Sequence, residues 1–477
     1  MNAPLDDRAA AAPPTFPRGF RWGAATAAFQ IEGSTTADGR GPSIWDTFTA
    51  EPGRVIDGSN ALVAADSYRR YRDDIALLAE LGATDYRFSI SWPRVQPGGT
   101  GPANAAGLDH YERFVDALAE AGIAPLATLY HWDLPQPLED AGGWLVRDTA
   151  SRYADYVGLV LDRLGDRVGR WITLNEPAMT TLEGYALGTQ APGRQLMLGA
   201  LPTVHHQLLG HGLAVAAIRA GAASGSGSRS GSVEVGITNN HTLVVPASSD
   251  PADLMAAGAF DLVYNRIFVD PVLTGAYPDL SAFGLDAFPG LEDGDLETIS
   301  APLDFYGVNS YNPTYVAAPA EGSEFAAAGL PFEPVVPPEG TPVTGFDWPV
   351  VPAAFGELLV GLQRDYGDAL PPVVITENGA SYPDEVVPAA DGAGDDGRAV
   401  HDDERIAYLD GHLRAVADAI EHGVDVRGYF VWSLMDNFEW AQGYTQRFGL
   451  VHVDFETGER TRKDSFAWYR DLIAAQR

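Results

Sequence analysis

Two glutamates interrupt apolar runs in the same way. Trp171-Ile172-Thr173-Leu174 leads into Asn175-Glu176-Pro177, and Val373-Val374-Ile375-Thr376 leads into Glu377-Asn378-Gly379. Pro177 and Gly379 then act as stops. A single glutamate at the end of a run reads as a surface ion pair; two, each bracketed by an asparagine and a breaker, point to shared chemistry. Cleavage of a glycosidic bond asks for such a pair, because the leaving oxygen needs a proton and the opposite face of the ring needs negative charge. With the carboxyls about 5 Å apart, one of them attacks the anomeric carbon directly and configuration is retained. At that spacing both cannot ionise freely. An arginine beside one member holds it anionic and leaves the other protonated, and Arg87, in Asp85-Tyr86-Arg87-Phe88-Ser89-Ile90, is the candidate. Once the nucleophile is an ester its charge is gone, the acid's pKa falls, and the same group serves as base toward water.

Sugars offer hydroxyls to polar side chains and apolar C–H faces to aromatic rings. Segments with that mixture follow further apolar runs: Phe29-Gln30-Ile31-Glu32, Tyr130-His131-Trp132-Asp133, Asn309-Ser310-Tyr311, Trp432, Asp436-Asn437-Phe438-Glu439-Trp440 and Phe448. Glu439, set between two aromatics, needs donors if it is buried, and sugar hydroxyls are donors. His205, His206 and His211 share one helical segment without i, i+4 spacing and read as packing, so no metal site is expected.

These groups need a scaffold that gathers strand ends. Eight short apolar runs alternate with amphipathic helical patterns: Phe20 to Ala25, Ala83 to Ile90, Ala124 to Tyr130, Arg170 to Leu174, Val233 to Asn239, Phe305 to Asn309, Val373 to Thr376 and Val426 to Trp432. Helices are predicted at Asp66 to Leu81, Leu108 to Ala121, Thr149 to Leu164, Thr203 to Ala220 and Asp403 to His422. Eight βα units close into one α/β fold, a (β/α)8 barrel with its site at the C-terminal ends of the strands. A single catalytic domain over residues 16–477 is therefore expected, preceded by a disordered tail, residues 1–15. The Gly/Ser stretch Gly221 to Gly231 reads as a flexible connection, and the loops Ala317 to Gly345 and Pro383 to Val400 as borders of the active face.

Composition narrows the partners. A net charge of −34 repels phosphate backbones and anionic membranes, so a neutral small molecule fits better than nucleic acid or membrane. There is no cysteine, hence no disulfide or thiolate chemistry. The one lysine, Lys463, is expected in the last helix and away from strand ends, which argues against Schiff-base chemistry. The leader lacks the basic start and apolar run of a secretory signal and no run is long enough to span a bilayer, so a cytoplasmic location is expected. A homo-oligomer is left open.

Taken together, these motifs resemble glycoside hydrolase family 1, the β-glucosidase family, across nearly the whole chain after the leader. The likeness rests on Trp22 to Gly33, the Arg87 strand, Leu129 to Pro135, Thr173 to Pro177, Ile375 to Gly379 and Trp432 to Phe448, in that order. It implies Glu176 as acid/base and Glu377 as nucleophile, with Asn175 on the sugar 2-hydroxyl. Gln30, His131, Glu439 and Trp440 match glucose-hydroxyl ligands, and Trp432 the stacking platform. Tyr311 matches the tyrosine bonded to the nucleophile, Asn309 a supporting asparagine, and Trp348 the tryptophan lining the leaving-group side. Relatives acting on 6-phosphorylated sugars carry Ser and Lys groups around the Glu439 position, whereas this chain keeps the carboxylate and has no lysine nearby, which favours an unphosphorylated glycone. Plant thioglucosidases carry Gln in place of the acid; Glu176 points to O-glycosides. The family commonly has Tyr-Tyr in the sixth strand, where this chain has Ser310-Tyr311.

The resemblance implies a retaining β-glucosidase that acts on cellobiose-type oligosaccharides and β-glucosides without a cofactor. A β-galactosidase or β-fucosidase of the same family is the alternative. A non-catalytic sugar binder would be expected to lack one of the two glutamates, and a barrel aldolase or isomerase would need a lysine or metal cluster.

Overall fold

The computed structural model describes residues 12–223, 233–389 and 397–477. Its centre is a closed barrel of eight parallel strands in the order β1-β8-β7-β6-β5-β4-β3-β2. These are β1 (Arg21–Ala25), β2 (Asp85–Ser89), β3 (Ala124–Thr128), β4 (Arg170–Asn175), β5 (Glu234–Asn240), β6 (Phe305–Asn309), β7 (Val373–Asn378) and β8 (Val426–Trp432). Each predicted strand is present with its ends shifted by at most a residue or two; β7 runs on through Glu377 to Asn378. Strands covered on both faces must be apolar along their length, and β7 is buried throughout.

The predicted helices are also found: α1 (Ser67–Leu81), α2 (Ala105–Glu120), α3 (Asp148–Leu164), α4 (Leu201–Ala223) and, later in the chain, α5 (Asp403–Glu421). In α1 the apolar positions Ile75, Leu77, Leu78 and Leu81 are buried, and the helix stops at Gly82, whose φ of 74° lets its N–H reach the Leu78 and Ala79 carbonyls. Side chains fill the barrel interior. Ala25, Leu126, Ile172, Phe305, Val374, Phe430 and Trp432 form one buried cluster, against which Tyr311, Phe346 and Trp348 pack at the open end. The core thus continues upward into the floor of a cleft at the C-terminal strand ends.

Two expectations change. Lys463 lies not within the last helix, α6 (Asp464–Ala475), but just before it, directly after the short strand Arg460–Arg462, and it is buried. The tail does not stay free to Thr15, because Arg414 and Gln476 donate to the carbonyls of Ala12 and Pro14 at 3.1 and 3.0 Å; residues 1–11 lie outside the described part. The loop Ala317 to Gly345 borders the cleft through Pro334 and carries structure of its own, since Thr314–Ala317 pairs with Val244–Pro246 and Glu333–Val335. Most of the Gly/Ser connection, residues 224–232, and residues 390–396 of the acidic loop lie outside the described residues.

Candidate active site

Both glutamates sit where the barrel ladder loses its register. The β4–β5 register shifts between Ile172 and Asn175, and the β6–β7 register between Ile375 and Glu377. Such irregularities re-aim side chains at barrel rims. Glu176 takes a left-handed backbone, φ 46°, between the end of β4 and Pro177, and its N–H donates to the Thr238 carbonyl at 2.8 Å. Trp132 (φ 76°) and Trp440 (φ 49°) share that strained conformation. Gly379 has a role beyond stopping a strand: a Cβ there would stand 1.8 Å from the Trp432 carbonyl oxygen, so only glycine lets the ends of β7 and β8 come together.

The two carboxyls share a hydrogen-bonded base. Arg87, fully buried on β2, donates to Glu377 Oε1 at 2.5 Å, to the Thr376 carbonyl at 3.0 Å and to Asn175 Oδ1 at 2.5 Å. Tyr311 donates its hydroxyl to Glu377 Oε2 at 2.5 Å. Asn309 Nδ2 donates to Glu176 Oε1 at 2.5 Å and to Asn175 Oδ1 at 3.1 Å, and the same side chain lowers the pKa of Glu377. With two donors on Asn175 Oδ1, its Nδ2 must face His131 Nε2, 3.1 Å away. His131 Nε2 is then the acceptor, and the imidazole proton sits on Nδ1, which has no partner among the described residues. Burial, with Arg87 second, pushes the His131 pKa well down, so the ring is a neutral donor.

Burial pushes the Glu176 carboxyl up to about 8, with the Glu377 charge as the next cause. Glu377 is also raised by burial, but Arg87 and the hydrogen bonds from Tyr311 and Asn309 oppose the rise. The pair is therefore asymmetric: Glu377 has the cation and the donors that favour its anion, while Glu176 keeps its proton at neutral pH. Glu439 is likewise raised to about 8, by burial and then by the Glu377 charge.

A cavity of about 510 Å³ opens above this base, and His131, Glu176, Tyr311, Trp348, Glu377, Trp432, Glu439 and Trp440 all line it. Arg87, Asn175, Asn309 and Gln30 stand behind that lining. Gln30 Nε2 donates to Asn437 Oδ1 at 3.0 Å and Glu439 Oε2 at 3.2 Å, while its buried Oε1 has no partner among the described residues. Trp432 and Trp440 lie near-parallel to the His131 ring, with centroids 5.9 and 6.0 Å away. On the other side Trp348 stacks on Phe346 at 4.5 Å.

Several lining residues escaped the sequence reading: Met179, Glu183, Gln190, Asn240 and Tyr264. Asn240 ends β5 and was findable by the same rule that singled out the glutamates. Tyr264, whose hydroxyl accepts from Asn240 Nδ2 at 2.7 Å, lies in a π-helical turn, Leu262–Arg266, that no periodicity announces. The three helix histidines are each bound to protein: His205 to Asp295 and Tyr277, His206 to the Trp144 carbonyl and His211 to Thr173.

Residues 12–477 match the profile described as glycosyl hydrolase family 1. The chain belongs to glycosyl hydrolase family 1. This family 1 hydrolase is 46% identical to a thermostable beta-glucosidase B of Thermobispora bispora, over 96% of the chain and 90% of that protein. It is 45% identical to a bifunctional beta-D-glucosidase/beta-D-fucosidase of Bifidobacterium breve, over 96% of the chain and 98% of the relative. Among solved structures, the psychrophilic beta-glucosidase of Micrococcus antarcticus superposes on the family 1 barrel with a TM-score of 0.88 at 46% identity, covering 97% of this chain and 98% of that one.

Proposed function

We propose that this family 1 hydrolase is a retaining β-glucosidase that releases terminal, non-reducing β-D-glucosyl residues from β-glucosides and short oligosaccharides such as cellobiose. The observation that carries the reading is the asymmetric carboxyl pair, Glu377 held by Arg87 and Tyr311 and Glu176 raised to about 8. In the first half-reaction Glu377 attacks the anomeric carbon while Glu176 gives its proton to the leaving oxygen. The C–O bond to the leaving group breaks as the ester to Glu377 forms. In the second, Glu176, now the base, takes a proton from water, which attacks the anomeric carbon and frees Glu377. Asn175 and the Nδ1–H of His131 are suited to sugar hydroxyls, Gln30 and Glu439 to the far side of the ring, Trp432 to its apolar face, and Trp348 to the aglycone. Trp440, which lines the cavity beside Glu439, is suited to a sugar hydroxyl as well, and supporting roles fall to Arg87, Asn309 and Tyr311.

The relatives named beta-glucosidase favour glucose, and the one named as bifunctional favours β-fucosides as a second substrate class. A panel of nitrophenyl β-glucoside, β-galactoside and β-fucoside ranks the three. Glu377→Ala is expected to abolish turnover, with azide restoring part of it as the inverted glycosyl azide; full activity in that variant overturns the nucleophile assignment. A cytoplasmic site of action and any homo-oligomer belong to the same proposal. Cell fractionation and light scattering of the purified chain test them.

A further inference from the structure

The chain has 31 Lys and Arg residues, and only Lys463 is a lysine. Its ammonium is fully buried, with a carboxylate on either side: Asp384 from the loop after β7, and Asp436, at 2.7 Å, from the loop after β8. Asp384 also accepts two donors from the buried Arg405, whose Nε and Nη2 bind the carbonyls of Ala380 at 3.1 Å and Arg447 at 2.7 Å. Asp402 pairs with Arg405 in turn and accepts from Ser465 N at 2.8 Å. Asp436 grips its own loop at the far end, accepting from Gly449 N at 3.0 Å and Arg447 Nη1 at 2.7 Å. Three cations and three carboxylates balance in this cluster, buried except for the partly exposed Arg447, so none can be dropped without leaving a charge uncompensated.

Between Asp436 and Gly449 lie Glu439, Trp440 and Phe448, all lining the cleft. Three residues before Ala380 lies Glu377. The two carboxyls themselves are held elsewhere, Glu377 by Arg87 on β2 and by Tyr311 just past β6, and Glu176 by Asn309 at the end of β6, with Asn175 on β4 joining Arg87 to Asn309. Resting on the glycosidase reading of this cleft, we propose that Lys463 is a positioning residue. It ties the loop after β7 to the loop after β8 and so sets the distance between the Glu439–Trp440 wall and Glu377. A compact ammonium with three donors can serve two carboxylates from two loops in a closed space; the wider, planar guanidinium that the chain uses for its other cations needs more room.

The tie governs how sugar is held, not how the bond is broken. Lys463→Met should raise KM for an aryl β-glucoside about tenfold while kcat changes less than about threefold, the signature of lost uniform binding. The charge-balanced Lys463→Met/Asp384→Asn variant removes the same tie without leaving an unpaired carboxylate. It should regain Tm toward the wild type while KM stays raised. Recovery of KM together with Tm, or a fall in kcat as large as that in kcat/KM, overturns the proposal. The wild-type enzyme supplies an independent readout. Lysine labelled with 13C at Cε gives a single side-chain signal, and saturation with a glucose-configured iminosugar, followed by tryptophan fluorescence, should shift it. A signal that stays in place at saturation refutes the tie. Failure of the wild type to turn over the aryl glucoside would instead overturn the glycosidase reading.

Discussion

Trapping Glu377 as a 2-deoxy-2-fluoroglucosyl ester removes one negative charge from beside Glu176 and changes little else. Glu176 stands at about 8 against an ordinary 4.5, which amounts to about 5 kcal/mol opposing ionisation at 1.36 kcal/mol per pH unit. Burial is the larger cause and the Glu377 charge the next. Two unit charges about 5 Å apart interact by about 3 kcal/mol at an effective dielectric near 20, so the ester should lower the Glu176 pKa by about two pH units. Arg87, left without its partner charge, pulls in the same direction. Burial persists in the ester, so Glu176 stays above the ordinary carboxyl value. The assay is a carbon-13 titration of carboxyl-labelled glutamate in the free and the trapped enzyme, with Glu176→Gln assigning the resonance. In the free enzyme the donor is lost as pH rises through about 8, so kcat/KM falls on that side; in the ester the base form is already present at neutral pH. A Glu176 pKa that is unchanged or higher in the ester refutes the electrostatic coupling, whatever the kinetics.

Tyr311→Phe removes a donor that favours the Glu377 anion. The Glu377 pKa should rise, moving the acid limb of kcat/KM to higher pH and lowering its plateau about tenfold or more, the worth of a hydrogen bond to a charged group; an acid limb that stays put defeats this. Glu439→Gln takes away a charge that forms as pH rises through about 8 and that then raises Glu176, so the alkaline limb should move to lower pH while KM rises about tenfold; pH–rate profiles read both. Gly379→Ala forces a methyl group onto the Trp432 carbonyl. It should cost about 1–3 kcal/mol in urea unfolding and lower kcat/KM by separating Glu377 from Trp432; a variant as stable and active as the wild type would show that the two strand ends need not touch.

What sequence made legible was whatever depends on periodicity and abrupt polarity change. The eight strands and five of the helices follow from burial on both faces or on one, and the glutamates stand out because an apolar run cannot absorb them unpaired. Less visible were features that depend on what lies opposite in space. Gly379 reads as a breaker until the Trp432 carbonyl is seen against it. Lys463 reads as a helix residue because its two carboxylate partners come from distant loops, at positions 384 and 436. Tyr264 reaches the cleft by way of a π-helical turn, where neither the 3.6 nor the 2.0 period applies. Left-handed backbone at Trp132, Glu176 and Trp440 leaves no mark at all, since none of the three is glycine or asparagine.

The cleft floor also resolves an apparent conflict between an acidic protein and a site that needs carboxylates. Glu176, Glu377 and Glu439 face one cavity with Arg87 as the cation bonded to the group. If all three were ionised, they would repel one another at low dielectric, and among the described residues no second cation is bonded to them. Burial raises all three; Arg87 opposes the rise at both Glu176 and Glu377, but it is hydrogen-bonded to Glu377, which also has the Tyr311 hydroxyl against the rise. At neutral pH the cleft therefore holds about one anion and one cation, with two protonated carboxyls available as donors. Such a site is close to neutral despite a net charge of −34 on the chain. It suits an uncharged sugar, and it disfavours a phosphorylated one twice over, through the field of the whole protein and through the absence of a free cation beside Glu439 among the described residues.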